Sequence, residues 1–399
     1  MPEPNALSIA WISQGRLYVK RGDSPVQEIE SDFARNSLKR EMRHSENNAW
    51  KGRSGVWGSM GMQPPGMAPW ADESAERQRT IRFVTAAGGD SPEEIYYVLD
   101  LGPVGGLFKY NFELEEETRL MHSQGFRARD ISRHPTDGQI AVSAVRDDGT
   151  MGLTITRNDG LFGKTVTLSD TVDESPSWLP DGTKRLVFQS SANRRDEHGE
   201  KIGITTSRVE LMDLAQEEIT LLVEDEHNDL LQPRIMDDET VLFIRRPFRF
   251  SHRKPPSLLE VAEDVLLFPF RLARAFVYFF NFISMAFSGK PLITSGGPEQ
   301  QKKTSRPLMM LYGQAVDTQH AMARNRDDDK PLVPKEWELV SKTKDGTETV
   351  LAQNVLAFDC LPDGTVVFTD GRKLFYMTPG SAPDEIAEGN LIEKVCILS

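Results

Sequence analysis

The stretch SPSWLPDGTKRLVFQSS, Ser175 to Ser191, decides the fold. It reads as a short strand, a tight turn at Asp181-Gly182, and a second, strongly apolar strand. The same phrase recurs as ISRHPTDGQIAVSAV (Ile131 to Val145), QPRIMDDETVLFI (Gln232 to Ile244) and FDCLPDGTVVFTD (Phe358 to Asp370). One such unit cannot bury its apolar face alone, so the copies must stack. Stacked units of this kind make a β-propeller.

Aligning the copies on their turns gives six units. The first opens with Ser8 to Ser13, turns at Gln14-Gly15 and continues as Arg16 to Arg21; AWISQGRLYVK matches VFTDGRKLFYM of the last unit. The C-terminal LIEKVCILS (Leu391 to Ser399) reads as the innermost strand of a further unit with nothing after it. The first unit lacks that strand. Glu393 to Leu398 is therefore expected to pair with Ser8 to Ser13 and close the ring, removing an exposed sheet edge. The fold class read from the sequence is all-β: a six-bladed β-propeller, residues 1–399 as one domain, closed by its C-terminal strand, with a long helical insertion in the fifth blade.

The turn phrase resembles the TolB-like propeller repeat, roughly Pro-x-Trp-Ser-Pro-Asp-Gly before an apolar strand. Pro176, Ser177, Trp178, Leu179, Pro180, Asp181 and Gly182 make its best copy. The copy at His134, Pro135, Thr136, Asp137 and Gly138 has an extra residue before the Asp, and the one at Met236, Asp237, Asp238 and Glu239 has no Gly. The likeness runs from about Phe126 to Leu398. It implies a propeller fold, and such propellers serve as scaffolds, sensors and enzyme lids.

Composition narrows the role. The chain of 399 residues carries 47 Lys and Arg against 60 Asp and Glu, a net charge of −13. An acidic protein of this kind is a poor nucleic-acid binder, because phosphate neutralisation needs clustered Lys and Arg. Cys360 and Cys396 are too few for a disulfide framework and are expected as buried free thiols. The start, MPEPNALSIAW, has no basic segment followed by an apolar run. No secretory signal is read there, and cytoplasmic residence is expected.

Insertions interrupt the repeats. Residues 33–79 lie between the first and second units and open with SDFARNSLKREMRH, a helix capped by Ser31 or Asp32. SGVWGSMGMQPPGMAPW follows, where Trp57, Met60, Met62 and Trp70 suit either a loop plugging the ring or an adaptable partner contact. Ala315 to Glu336 reads as a charged, solvated loop.

The insertion in the fifth unit, 247–304, carries the functional reading. After LFIRRP the chain should turn into the next strand, yet it detours before resuming at RPLMMLYG. Arg245 to Arg306 holds eleven Lys and Arg and four Asp and Glu, a local net of +7. Arg245, Arg246, Arg249, Arg253 and Lys254 form a basic patch at its start. The run Val265 to Phe287 is long and apolar, with Phe268, Phe270, Phe276, Phe279, Phe280 and Phe287 as its anchor and Pro269 as a kink. At ~1.5 Å per residue it is long enough to span a bilayer. Both roots belong to one blade, however, so a single crossing is excluded. What remains is an interfacial helix, a kinked re-entrant helix, or a helix packed on another protein, on a second copy or on the propeller's own flank.

A search for catalytic signatures finds no nucleophile elbow, HExxH, CxxC, P-loop or GxGxxG. His44, His122, His134, His198, His227, His252 and His320 show no metal-ligand spacing. An axial metal site would need carboxylates at matching heights on several inner strands. Asp130, Glu174, Asp229, Asp359 and Glu393 are the candidates, but only Asp130 and Glu174 match in height. The expected protein is thus a non-enzymatic scaffold or accessory subunit without metal or cofactor. Its expected partners are proteins, a membrane-embedded complex among them, and an anionic membrane surface that it meets peripherally. A metal-dependent propeller hydrolase and a soluble homo-oligomer joined through the arm are the alternatives.

Overall fold

The computed structural model describes residues 7–40, 43, 81–102, 104–146, 150–157, 163–199, 201–248, 308–311, 314–317 and 330–398. Two compact units divide the chain. One combines Met1–Phe248 with Pro331–Ser399, and the other is Arg249–Lys330.

The first unit is a succession of antiparallel meanders. β1 (Ser8–Ser13), β2 (Arg16–Arg21) and β3 (Gln27–Ile29) open it. A short helix, α1, over residues 32–40 follows. β4 (Arg82–Gly88), β5 (Glu94–Asp100), β6 (Val104–Asn111) and β7 (Glu116–Gln124) form a four-stranded sheet in chain order. β8 (Ala128–Arg133), β9 (Ile140–Val145) and β10 (Met151–Thr156) come next. β11 (Thr171–Trp178), β12 (Arg185–Arg195), β13 (Lys201–Ile204), β14 (Arg208–Asp213) and β15 (Glu218–Val223) follow, with β13 pairing only the outer end of β12. A single parallel pair, Met151 with Val172, joins these two meanders into one eight-stranded sheet.

β16 (Asn228–Ile235) and β17 (Val241–Pro247) begin the next sheet. In the second unit, β18 (Leu308–Leu311) and β19 (Gln314–Asp317) pair only with each other among the described residues. The sheet of β17 is completed by β20 (Glu338–Lys342) and β21 (Glu348–Gln353). β22 (Ala357–Cys360), β23 (Val366–Thr369), β24 (Lys373–Met377) and β25 (Asp384–Glu388) form the last meander. β26 (Ile392–Leu398) then returns to β1, with Ser8 opposite Leu398 and Ser13 opposite Ile392. The ring-closing pairing expected from the sequence is present.

The first strands neighbour one another in a closed cycle: β26, β4, β8, β11, β16, β22 and back to β26. Apolar clusters fill the faces between consecutive meanders. Leu17, Tyr97, Leu99 and Phe108 fill one such face, and Val187, Val209, Leu230 and Phe243 another. Each fully buried large side chain contributes roughly 1.5–3 kcal/mol.

One sequence expectation needs correction. The third strand of the fifth unit is Glu338–Lys342, not RPLMMLYG. Leu308–Leu311 folds back on its own neighbour Gln314–Asp317, whereas Leu339 and Val340 are fully buried against β17. The 33–79 insertion opens as the helix expected from the sequence. It is α1, capped by Ser31, whose Oγ accepts the Ala34 N–H at 3.1 Å. Phe33 packs on Phe108 of β6, 5.1 Å between ring centres, and its N–H donates to Glu117 of β7 at 2.7 Å. Among the described residues no helix is long and apolar enough to cross a membrane.

Candidate functional site

The cycle of first strands carries a belt of polar side chains, and β-bulges aim them. The register slips at Phe83/Thr85 in β4, Ala128/Asp130 in β8, Glu174/Ser177 in β11 and Leu231/Arg234 in β16. Ser175 and Gln232 hold the left-handed backbone of the last two bulges, at φ 51° and 53°, and each precedes a proline. A bulge bends the strand and redirects neighbouring side chains.

The belt closes on itself. Lys394 of β26 pairs with Asp130 of β8, whose other oxygen accepts the Ser175 hydroxyl at 3.1 Å. Gln189 donates to Glu174 at 3.1 Å and accepts the Gln232 N–H at 2.8 Å. Gln232 in turn donates to the Leu356 carbonyl at 3.4 Å and accepts the Phe358 N–H at 3.3 Å. Arg234 pairs with Asp359 at 3.1 Å, and Asp359 also accepts the Ile397 N–H at 2.9 Å. Burial raises the Glu174 carboxyl above its ordinary range, the Asp130 charge adds to this, and Arg129, Lys394 and Arg246 oppose it. Burial likewise raises Glu393, against Arg82 and Lys394.

Of the five carboxylates read as candidate metal ligands, four are paired with a cation: Asp130 with Lys394, Asp359 with Arg234, Asp229 with Arg246 at 3.0 Å, and Glu393 with Arg82 at 3.7 Å. The belt is charge-compensated and internally hydrogen-bonded, an arrangement suited to holding meanders together. Among the described residues no three His, Cys, Asp or Glu stand together as a metal-ligand set.

The other candidate feature is the root of the long insertion. β17 and β20 are adjacent, with Arg245 opposite Glu338. Arg245 pairs with Glu338 at 2.9 Å and with Glu348 at 3.1 Å. Arg246 is 2% exposed, paired with Asp229, and lies 4.9 Å over the Trp337 ring. The expected basic patch therefore loses its first two members. Arg245 faces two carboxylates of its own sheet, and Arg246 is a buried structural cation. Arg249, Arg253, Lys254, Phe268, Phe270, Phe276, Phe279, Phe280 and Phe287 lie outside the described residues, as do Trp57, Met60, Met62 and Trp70.

The cysteines are free; Cys396 is buried and Cys360 half-buried. Burial, with Asp359 beside it, pushes the Cys360 thiol up to about 12, so it is a poor nucleophile. Gln189, Gln232 and Lys394 were missed in the sequence reading. The available signal was the Ser175-Pro176 and Gln232-Pro233 steps at matching places in two repeats.

Comparison with solved structures agrees with the architecture. The chain is similar to TolB from Acinetobacter baumannii, with 11% identity over 100% of this chain and 68% of that one, and a TM-score of 0.50. It is also similar to a chain of a nidogen/laminin complex, with 8% identity, 98% of both chains covered and a TM-score of 0.49. The tricorn protease matches at 10% identity over 100% of this chain and 36% of that one, with a TM-score of 0.45. No protein-family model and no curated protein matches the sequence. The fold is that of a TolB-like propeller.

Proposed function

We propose that this protein is a six-bladed propeller that works as a non-enzymatic scaffold, held at a membrane or a membrane-embedded complex by the arm inserted in its fifth blade. The closed cycle of first strands supports six blades, the single Met151–Val172 pair marking the border between the third and fourth. The charge-compensated belt favours a structural axis over a metallohydrolase.

One observation carries the arm. The chain leaves the sheet after β17 and returns to it at β20, and those strands are hydrogen-bonded neighbours at Arg245 and Glu338. Whatever lies between starts and ends on one sheet, so an apolar segment there dips into or rests upon something apolar rather than crossing a bilayer once. With Arg245 and Arg246 engaged in the sheet, Arg249, Arg253 and Lys254 are the basic residues left for lipid head groups, at roughly 1 kcal/mol each near the surface. Phe268, Phe270, Phe276, Phe279, Phe280 and Phe287 supply the anchor, and Trp57, Met60, Met62 and Trp70 a second contact. The place of work is the cytoplasmic face of a membrane.

Deleting Pro255 to Lys290 tests this. The shortened chain should stay soluble and folded but no longer float with vesicles containing phosphatidylserine. Unchanged flotation would defeat the arm, and near-stoichiometric calcium or zinc in the purified protein would defeat the non-enzymatic reading.

A further inference from the structure

Strand order fixes which connections share a face of the propeller. Successive strands of a meander are antiparallel, and each meander repeats the same course around the ring. The second-to-third connections and the links between meanders therefore emerge on one face, where β17 ends and β20 begins. The first-to-second and third-to-fourth connections emerge on the other. Ten connections of that other face lie wholly among the described residues, the Asp turns at 134–139, 179–184, 236–240 and 361–365 included. They hold thirteen Asp and Glu against two Lys. Both lysines are engaged there, Lys184 with Asp137 and Lys344 with Glu239.

The face of β17 is different. Among the described residues of the first unit its connections hold eleven Lys and Arg against ten Asp and Glu, with 191–207 taken as the connection from β12 to β14. Arg127 and Arg129 flank the start of β8, Lys201 lies on β13, and Lys335 precedes β20. Lys39 and Arg40 lie on α1, and Arg43 just beyond it, on the link from β3 to β4. All seven are exposed and make no ion pair or hydrogen bond. Arg119, on the rim, differs in stacking 5.5 Å over Phe33. The same face also exposes apolar side chains. β12 runs on from Ser191 to Arg195 past its last pair with β14, and β13 returns beside it, so this hairpin projects from the sheet. It carries Ile202, 50% exposed, beside Lys201. Asp170 accepts from Asn193 at 2.8 Å and from Arg195 at 2.7 Å, which ties the hairpin to the link bearing Leu168, 78% exposed. On the acidic face the exposed Leu114 sits between Glu113 and Glu115 instead.

We propose that the propeller lies on an anionic lipid surface with the face on which β17 ends, setting Leu168 and Ile202 at the level of the head groups and turning the acidic face to solvent. The proposal rests on the reading of a membrane-held scaffold and names its docking face. A chain of net charge −13 would be repelled by such a surface if its charge were spread evenly. Here the excess acid stands a strand length away, about 20 Å for six residues. That is more than twice the Debye length of about 8 Å at physiological salt, so its repulsion is screened. The unpaired cations are on the near side, where each strengthens binding about fivefold. This face and the arm are two weak signals, and stable attachment takes both.

The test measures partition of the full chain onto phosphatidylcholine vesicles with and without phosphatidylserine. Arg127→Gln, Lys201→Gln and Lys335→Gln together should weaken binding to the phosphatidylserine vesicles about a hundredfold, with an unchanged thermal melt. Asp23→Asn, Glu113→Gln and Glu115→Gln, the matching set on the acidic face, should change it less than about threefold. Ile202→Asp should weaken it about tenfold. A first set that binds within about threefold of the parent, or a second set with an equal effect, would overturn the proposal. So would equal binding of the parent to vesicles without phosphatidylserine. If the first set loses binding while deletion of Pro255 to Lys290 does not, this face stands and the arm falls. If only the deletion loses it, the arm stands and this face falls.

Discussion

Each repeated Asp does the same work in its turn. Asp137, Asp181, Asp238 and Asp363 accept the N–H two residues on, at 3.1, 2.9, 3.0 and 2.9 Å. The residue after each Asp is left-handed: Gly138, Gly182 and Gly364 at φ 70°, 70° and 86°, and Glu239 at 62°. Glu239 has a Cβ where the other copies have none, and its exposed ion pair with Lys344 returns little. Glu239→Gly should therefore stabilise the protein by about 1 kcal/mol in urea unfolding. His134 stands where the Ser175 copy has Leu179. It is 1% exposed, its Nδ1 accepts the Thr136 and Asp137 N–H groups, and its Nε2 lies 3.1 Å from the Thr183 carbonyl. Its ring therefore sits neutral, and burial, first among the causes, lowers its pKa. As pH falls below about 6.5 the unfolded chain takes up this proton before the folded one does. Stability is thus full above that pH and falls below it, by at most about 1.4 kcal/mol per pH unit. Unfolding free energies from pH 7.5 to 5 should show a shallower fall in His134→Leu. The turns were legible because Asp followed by Gly suits their geometry. The burial of His134 was not, since a lone histidine in a turn reads as surface.

At the scale of elements, the closing strand was legible because β26 and β1 each lacked a partner of the other's kind. Ile392 is 0% exposed, and Val395, Cys396, Ile397 and Leu398 are buried. Ile392→Ala should cost about 2–5 kcal/mol. Removing Leu391–Ser399 should abolish the cooperative transition in circular dichroism and leave β1 as an aggregating edge. The basic cluster at the end of β17 was misread for a physical reason. Arg245 and Arg246 alternate across a strand, so each finds its own acids, and a linear run of charge does not show which face is already compensated. Arg246→Ala should cost about 3–5 kcal/mol by leaving Asp229 buried and unpaired, and the double change Arg246→Met with Asp229→Leu should recover most of it. A double change as damaging as the single one would show that Arg246 acts through its stacking on Trp337 instead. The inner bulges went unread, although the Ser175-Pro176 and Gln232-Pro233 steps mark two of them at matching places in the repeats.

For the whole molecule, two pairings define where the chain can be cut. Ser8 is opposite Leu398, and Arg245 is opposite Glu338. The first makes the described ends of the propeller neighbours, and the second makes the roots of the insertion neighbours. The buried core of the first unit draws on residues from Leu7 to Ile244 and from Val333 to Leu398. Replacing Arg249–Lys330 by a short Gly-Ser linker should therefore leave a cooperative fold, because Phe248, bound to the His227 carbonyl at 2.9 Å, and Leu332, bound to the Asp370 carbonyl at 3.0 Å, are held by the first unit itself. Loop-closure entropy even favours the shorter connection, by about 0.6 kcal/mol per halving of length. A second chain, with Leu398 joined to Ser8 by a linker and new ends after Phe248 and before Pro331, should fold to the same thermal midpoint within a few degrees. Neither chain should float with anionic vesicles. If the excised chain fails to unfold cooperatively, the Arg249–Lys330 unit contributes to the propeller's own stability, and the arm then belongs to the fold before it belongs to any membrane.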